Sequence, residues 1–172
     1  MSQKKAPLIL VLMGVSGCGK STIGELLAGR LGWPMIEGDE FHTRTNIAKM
    51  REAIPLGDAD RWPWLNAIAS RLDDWCKAGS SGIVTCSALK RIYRDRLAAG
   101  RPNVWFIYLK GAPEVIRPRL AGRLGHFMPA NLLDSQYAAL EEPAADERAM
   151  TLTVDRQPIA IVDEVLEKIA KI

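Results

Sequence analysis

The stretch Gly14-Val15-Ser16-Gly17-Cys18-Gly19-Lys20-Ser21 fits G-x-x-x-x-G-K-[ST] at every position, and no other feature constrains the fold as strongly. It sits between an apolar run, Leu8–Met13, and a helical stripe of Ile23, Leu26, Leu27 and Leu31 that stops at Gly32. Strand, glycine loop and helix in that order form the context in which this pattern cradles phosphates. Glycines let backbone N–H groups close around an anion, and the helix N-terminus adds roughly half a positive charge at the same spot. Lys20 supplies a point charge for the β- and γ-phosphates, and the Ser21 hydroxyl is a ligand type suited to Mg2+. At average glycine usage the pattern arises by accident in roughly one chain in two hundred of this length. A dinucleotide loop would need a third glycine, which Gly17-Cys18-Gly19-Lys20-Ser21-Thr22 lacks. The residues expected at the nucleotide phosphates are therefore Gly14, Val15, Ser16, Gly17, Cys18, Gly19, Lys20, Ser21 and Thr22.

Four further apolar runs follow: Pro34–Glu37, Ile83–Cys86, Val104–Leu109 and Met150–Val154. Helical spacing separates them, with one stripe of Leu65, Ile68, Ala69, Leu72 and Cys76 and another of Ile159, Val162, Leu166 and Ile169. Asp60 is the expected cap of the first of these helices, with Pro63 in its first turn. The pattern predicts an α/β fold: one domain over 1–172, with a five-stranded parallel sheet and helices on both faces. The stretch around Gly122 and Gly125 predicts a loose connection, a lid over about 119–130.

Composition removes other classes. The chain of 172 residues is 48% hydrophobic and 25% charged, the balance of a globular protein rather than a disordered one. Its 23 basic and 20 acidic residues leave a formal +3, too small an excess to imply a nucleic-acid or membrane partner. Cys18, Cys76 and Cys86 show neither metal-binding spacing nor an even count, so free thiols in a reducing cytoplasm are expected. The basic start at Met1–Lys5 runs into Leu8–Met13 and then the glycine motif, which reads as a buried strand rather than a signal peptide.

The cradle alone does not separate a small-molecule kinase from a switch GTPase or a regulatory nucleotide-binding module. A GTPase would carry an Asn-Lys-x-Asp guanine reader, which the sequence lacks. Four further stretches carry a specific resemblance. Gly38-Asp39-Glu40-Phe41-His42 with Asn46-Ile47-Ala48-Lys49-Met50 resembles the G-D-x-x-H-x-x-x-N-x-x-K-M of gluconokinases. Pro55-Leu56-Gly57-Asp58-Ala59-Asp60-Arg61-Trp62-Pro63-Trp64-Leu65 is similar to that family's P-L-x-D-x-D-R-x-P-W-L. Cys86-Ser87-Ala88-Leu89-Lys90-Arg91-Ile92-Tyr93-Arg94-Asp95 is similar to its C-S-A-L-K-x-x-Y-R-D, and Gly125-His126-Phe127 resembles its lid. The matches run in family order over nearly the whole chain. Gly57, Ala59 and Cys18 depart from the usual residues without removing a group expected in the chemistry. The resemblance implies a nucleoside-monophosphate-kinase-like fold that phosphorylates D-gluconate with ATP and Mg2+. Dimers are common among such enzymes, so a homodimer is an open expectation, and Asp155-Arg156-Gln157-Pro158 is implied to lie near the adenine.

Position and chemistry suggest roles for individual residues. Asp39 follows the second strand, where parallel sheets open their ligand crevice, and could act as general base or hold the metal's water shell; a turn-forming Asp is the plain alternative. His42, Arg44 and Lys49 could grip a sugar acid, although a turn role fits His42 and a solvated helix face fits Lys49 equally. Lys90 and Arg94 lie one helical turn apart after the third strand and could bind its carboxylate, or belong to a surface charge cluster. Arg119 and Arg123 border the expected lid, where arginines can neutralise charge on a transferring phosphoryl group; His126 moves with it. Trp75 and Trp105 are expected in the core rather than in a base-stacking platform.

Overall fold

The computed structural model describes residues 5–122 and 132–172. Strand β1 (Ile9–Met13) is wholly buried, and its side chains alternate between two apolar layers. Leu10 and Leu12 enter one layer; Ile9, Val11 and Met13 enter the other. A strand buried on both faces must satisfy its backbone within the sheet, and β1 pairs in parallel with β3 (Gly82–Thr85) on one side and β4 (Val104–Lys110) on the other. Strands β2 (Met35–Glu37) and β5 (Ala149–Thr153) complete the order β2-β3-β1-β4-β5, every pair parallel. The expected five-stranded α/β architecture is present, and each strand lies within a residue of its expected bounds.

Helices α1 (Lys20–Leu31) and α7 (Pro158–Ile169) cover the Leu10 face through Ile23, Leu27, Ile161, Val162 and Val165. Helices α3 (Asp58–Ala78) and α4 (Arg91–Ala98) cover the opposite face through Leu65, Ile68, Leu72, Tyr93 and Leu97. Trp75 is buried in this second layer, and the half-buried Trp105 packs against the first. The short α2 (Arg44–Arg51), α5 (Pro113–Ala121) and α6 (Leu132–Ala139) surround the carboxyl ends of the strands. Gly32 ends α1 in the left-handed conformation, its N–H donating to the Ala28 carbonyl. The start of α3 differs from the expectation. Gly57 is its N-cap, and Asp60 sits at the third helical position, its carboxylate accepting from the Gly57 N–H at 2.9 Å. Pro63 consequently falls in the second turn, leaving the Ala59 carbonyl without its usual donor. Past Gly122, the lid expected over 119–130 lies outside the described residues.

Arg94 requires a correction. It is 1% exposed, and its Nε and Nη2 donate to the two oxygens of Glu147 at 2.6 and 3.1 Å. Its Nη1 donates to the carbonyls of Ala88 and Leu89 at 2.9 and 3.2 Å. Four of its roughly five N–H donors are thereby engaged, so Arg94 holds the turn after β3 instead of reaching into the crevice. Ala88, in that turn, has a left-handed φ of 46° that the two carbonyl bonds help maintain. Arg94→Ala would leave the buried Glu147 carboxylate without its partner, at an expected cost of about 3–5 kcal/mol in unfolding free energy. Urea denaturation measures this, and a midpoint equal to the parent's would contradict the assigned role.

Candidate active site

The cradle turns sharply at the end of β1. Gly14 has φ +141°, and a Cβ there would lie 2.8 Å from both the Leu109 carbonyl oxygen and Cys18 Sγ. No L side chain fits that approach. Helix α1 begins at Lys20, directly after Gly19, and so points its N-terminus into the cradle. Lys20 Nζ lies over the loop, donating to the carbonyls of Gly14 (3.0 Å) and Val15 (3.1 Å). The Ser16 N–H donates to Gln136 Oε1 of α6 at 2.6 Å, a contact that sequence reasoning did not foresee. Ser21 is half-buried and Thr22 exposed in the first turn of α1.

The other wall is built by α3. Trp64 Nε1 donates to the Gly38 carbonyl at 2.8 Å and so fixes the 3-10 turn Gly38–Phe41 that carries Asp39. That turn presses on β3: a Cβ on Gly38 would stand 2.0 Å from the Thr85 carbonyl oxygen. Thr85 Oγ1 accepts from the Gly38 N–H and donates to Glu37 Oε2. Asp39, its side chain 63% exposed, shares one crevice with Ser16, Lys20, His42, Arg61 and Ser87. The Ser87 carbonyl accepts the Gly14 N–H at 3.2 Å, tying the β3 turn to the cradle. Lys20 and Asp39, proposed from different motifs, thus face one space.

The remaining basic candidates divide by their partners. Lys49 Nζ pairs with Asp60 Oδ1 at 2.8 Å and Lys90 Nζ with Asp58 Oδ1 at 2.9 Å. Asp58 also accepts from the Tyr93 hydroxyl. Arg44 is exposed at the start of α2 and is not part of the crevice wall. Arg61, absent from the expected site residues, lines the crevice; its Nε is buried without a hydrogen-bond partner among the described residues. The sequence concealed it because an arginine beside Asp58 and Asp60 reads as already paired, whereas both carboxylates take lysines from distant segments.

Arg119, exposed on α5, donates to the Val154 carbonyl at 2.6 Å. It lines a second cleft with Gly17, Thr22, Arg156 and Pro158, which brings the expected adenine segment beside the cradle. Arg117 is exposed and pairs with Asp134. Arg123 and His126 lie outside the described residues. Among the described residues no cluster of three or more His, Cys, Asp or Glu could hold a metal, and no helix is long and apolar enough to cross a membrane.

His42 stacks on Trp64, ring centroids 4.2 Å apart and planes 15° from parallel. Burial pushes its imidazole down to about 4, opposed by Asp39 and reinforced by the Arg61 charge. The ring is therefore neutral at pH 7, a hydrogen-bonding group rather than a cation. The unfolded chain, with His42 titrating near 6.5, binds more protons between pH 6.5 and about 4 than the folded one. Stability from this residue is complete above about pH 6.5 and lost as pH falls toward 4, by about 3 kcal/mol at most. His42→Phe keeps an aromatic ring against Trp64 but cannot bind the proton, so denaturation midpoints across that range should fall less steeply than the parent's.

A family model described as AAA domain matches residues 9–143. The gluconokinase of Gluconobacter oxydans is 43% identical over 93% of this chain and 90% of its own length. The crystal structure of a gluconokinase from Sinorhizobium meliloti superposes with a TM-score of 0.87 at 44% identity, covering 98% of this chain and 94% of that one. An unliganded sugar kinase from Janibacter gives a TM-score of 0.90 at 47% identity, over 94% and 93% of the two chains. Identity at this level over nine-tenths or more of both chains, with the same overall fold, shows that the chain belongs to the gluconokinase family.

Proposed function

We propose that this protein transfers the γ-phosphoryl group of ATP to the 6-hydroxyl of D-gluconate, giving 6-phospho-D-gluconate and ADP. The observation that carries the reading is that a complete phosphate cradle and the Asp39 carboxylate open onto one crevice, in a chain resembling gluconokinases over nearly all its length. The free thiols Cys18, Cys76 and Cys86 suit the cytoplasmic setting we propose for it.

In this reading the backbone N–H groups of the cradle and the N-terminus of α1 hold the nucleotide phosphates. Lys20, held over the loop by the Gly14 and Val15 carbonyls, presents its ammonium to the β- and γ-phosphates, where it offsets charge as the bond to the leaving oxygen lengthens. The Ser21 hydroxyl would help hold magnesium, which would supply further charge neutralisation at the phosphates. Asp39 orients the attacking hydroxyl and accepts its proton. Neutral His42 offers a hydrogen bond to a substrate hydroxyl. Arg119 and Arg123 are assigned to the nucleotide side, the latter to the transferring phosphoryl group.

Coupled detection of ADP across gluconate, related aldonates, shikimate and nucleosides tests the substrate; turnover confined to shikimate or a nucleoside overturns gluconate, and no turnover with any of them favours a regulatory module. Asp39→Asn keeps shape and hydrogen bonding but cannot take a proton. Its kcat is expected to fall by ~10²–10⁴ with nucleotide affinity near the parent's by calorimetry. Retention of more than about a tenth of the parent kcat is too much activity for a lost general base.

A further inference from the structure

We propose that Arg61 is the residue that binds the substrate's carboxylate; this rests on the gluconokinase reading above. The first support is a charge inventory of the substrate wall. Lys49 is matched by Asp60 and Lys90 by Asp58, and Arg94, behind the wall, is matched by Glu147. Arg61 forms no ion pair among the described residues, since Asp58 and Asp60, which feel its charge, are already bonded to lysines. One such charge matches one carboxylate, whereas the phosphates have Lys20 and the cradle.

The second support is the state of the guanidinium itself. Its Nε is buried with no acceptor among the described residues, while its Cζ lies 5.4 Å from the centre of the Tyr93 ring. A buried donor without a partner is costly, and because Arg61 lines the crevice, a carboxylate there can take charge-assisted bonds from the guanidinium. A cation over an aromatic face keeps its N–H groups for other acceptors, and a guanidinium fork suits bidentate recognition of a carboxylate. The same crevice is lined by neutral His42 and the Asp39 carboxylate, which together suit hydroxyls rather than a second anion. A sugar acid therefore enters with its carboxylate at Arg61 and its far hydroxyl toward Asp39 and Lys20.

The test compares D-gluconate with D-glucitol, which replaces the carboxylate by a neutral CH2OH; where glucitol is not turned over, its inhibition constant against gluconate replaces its KM. In Arg61→Gln the gluconate KM should rise about ten- to a hundredfold. The ATP KM and the glucitol constant should stay near parent values, so the preference for the acid collapses. Arg61→Lys, which keeps charge but loses the fork, should fall between. Melting temperatures of both variants separate misfolding from lost recognition. If gluconate and glucitol weaken equally, or gluconate KM is unchanged in the folded variant, the Arg61 assignment is overturned while the kinase reading stands. A parent protein that leaves gluconate untouched overturns both.

Discussion

The dry burial of β1 is the constraint on which the rest depends. With apolar layers on both sides, its peptide groups have no water to turn to and must bond to β3 and β4. Every pairing is parallel, so the strands all deliver their following loops to one edge. The cradle, the Asp39 turn and the Ser87 turn meet there because β1, β2 and β3 end side by side. The contacts that join them are few and short-range: Gly14 to the Ser87 carbonyl, Gly38 against Thr85, and Trp64 to the Gly38 carbonyl.

Around this edge the protein separates structural charge from charge left open to a ligand. Arg94 and Glu147 form a buried, doubly hydrogen-bonded pair that secures the backbone of the β3 turn. Asp58 and Asp60, at the start of α3, each hold a lysine from another segment and thereby tie α3 to α2 and to the start of α4. Lys20 and Arg61 reach the crevice with no acidic partner among the described residues. Their different surroundings, backbone carbonyls for one and an aromatic face for the other, suit phosphates and a planar carboxylate respectively.

Much of the scaffold was legible because its signals are local. Leu8–Met13 is a short apolar run between a basic start and a glycine turn, and only a buried strand suits it. The stripes of α3 and α7 repeat at helical spacing, and the glycine motif needs no tertiary context to be recognised. Helices α2, α5 and α6 are short, and a run of eight or nine residues shows little periodicity. The site was only partly legible. Asp39 and Lys20 follow strands directly, so the chain itself places them. Arg94 and Lys90 depend on carboxylates as far as 53 residues away, and motif spacing carries no record of which charge is neutralised and which, like Arg61, is left without an ion pair. The α3 start was misplaced for a related reason: an Asp three residues inside a helix resembles a cap when its bond back to Gly57 is not visible.

The position of Lys20 also bears on entropy. A free lysine side chain samples many rotamers, and fixing it costs about 2 kcal/mol. Here two of its ammonium protons are directed to the Gly14 and Val15 carbonyls, so the loop that receives phosphate already holds the side chain in register. Its third hydrogen-bond partner among the described residues is Cys18 Sγ at 3.9 Å, a weak acceptor that a phosphate oxygen displaces at little enthalpic loss. The ordering of this cation thus belongs to folding rather than to ligand capture, and the incoming nucleotide meets a charge that is already aimed.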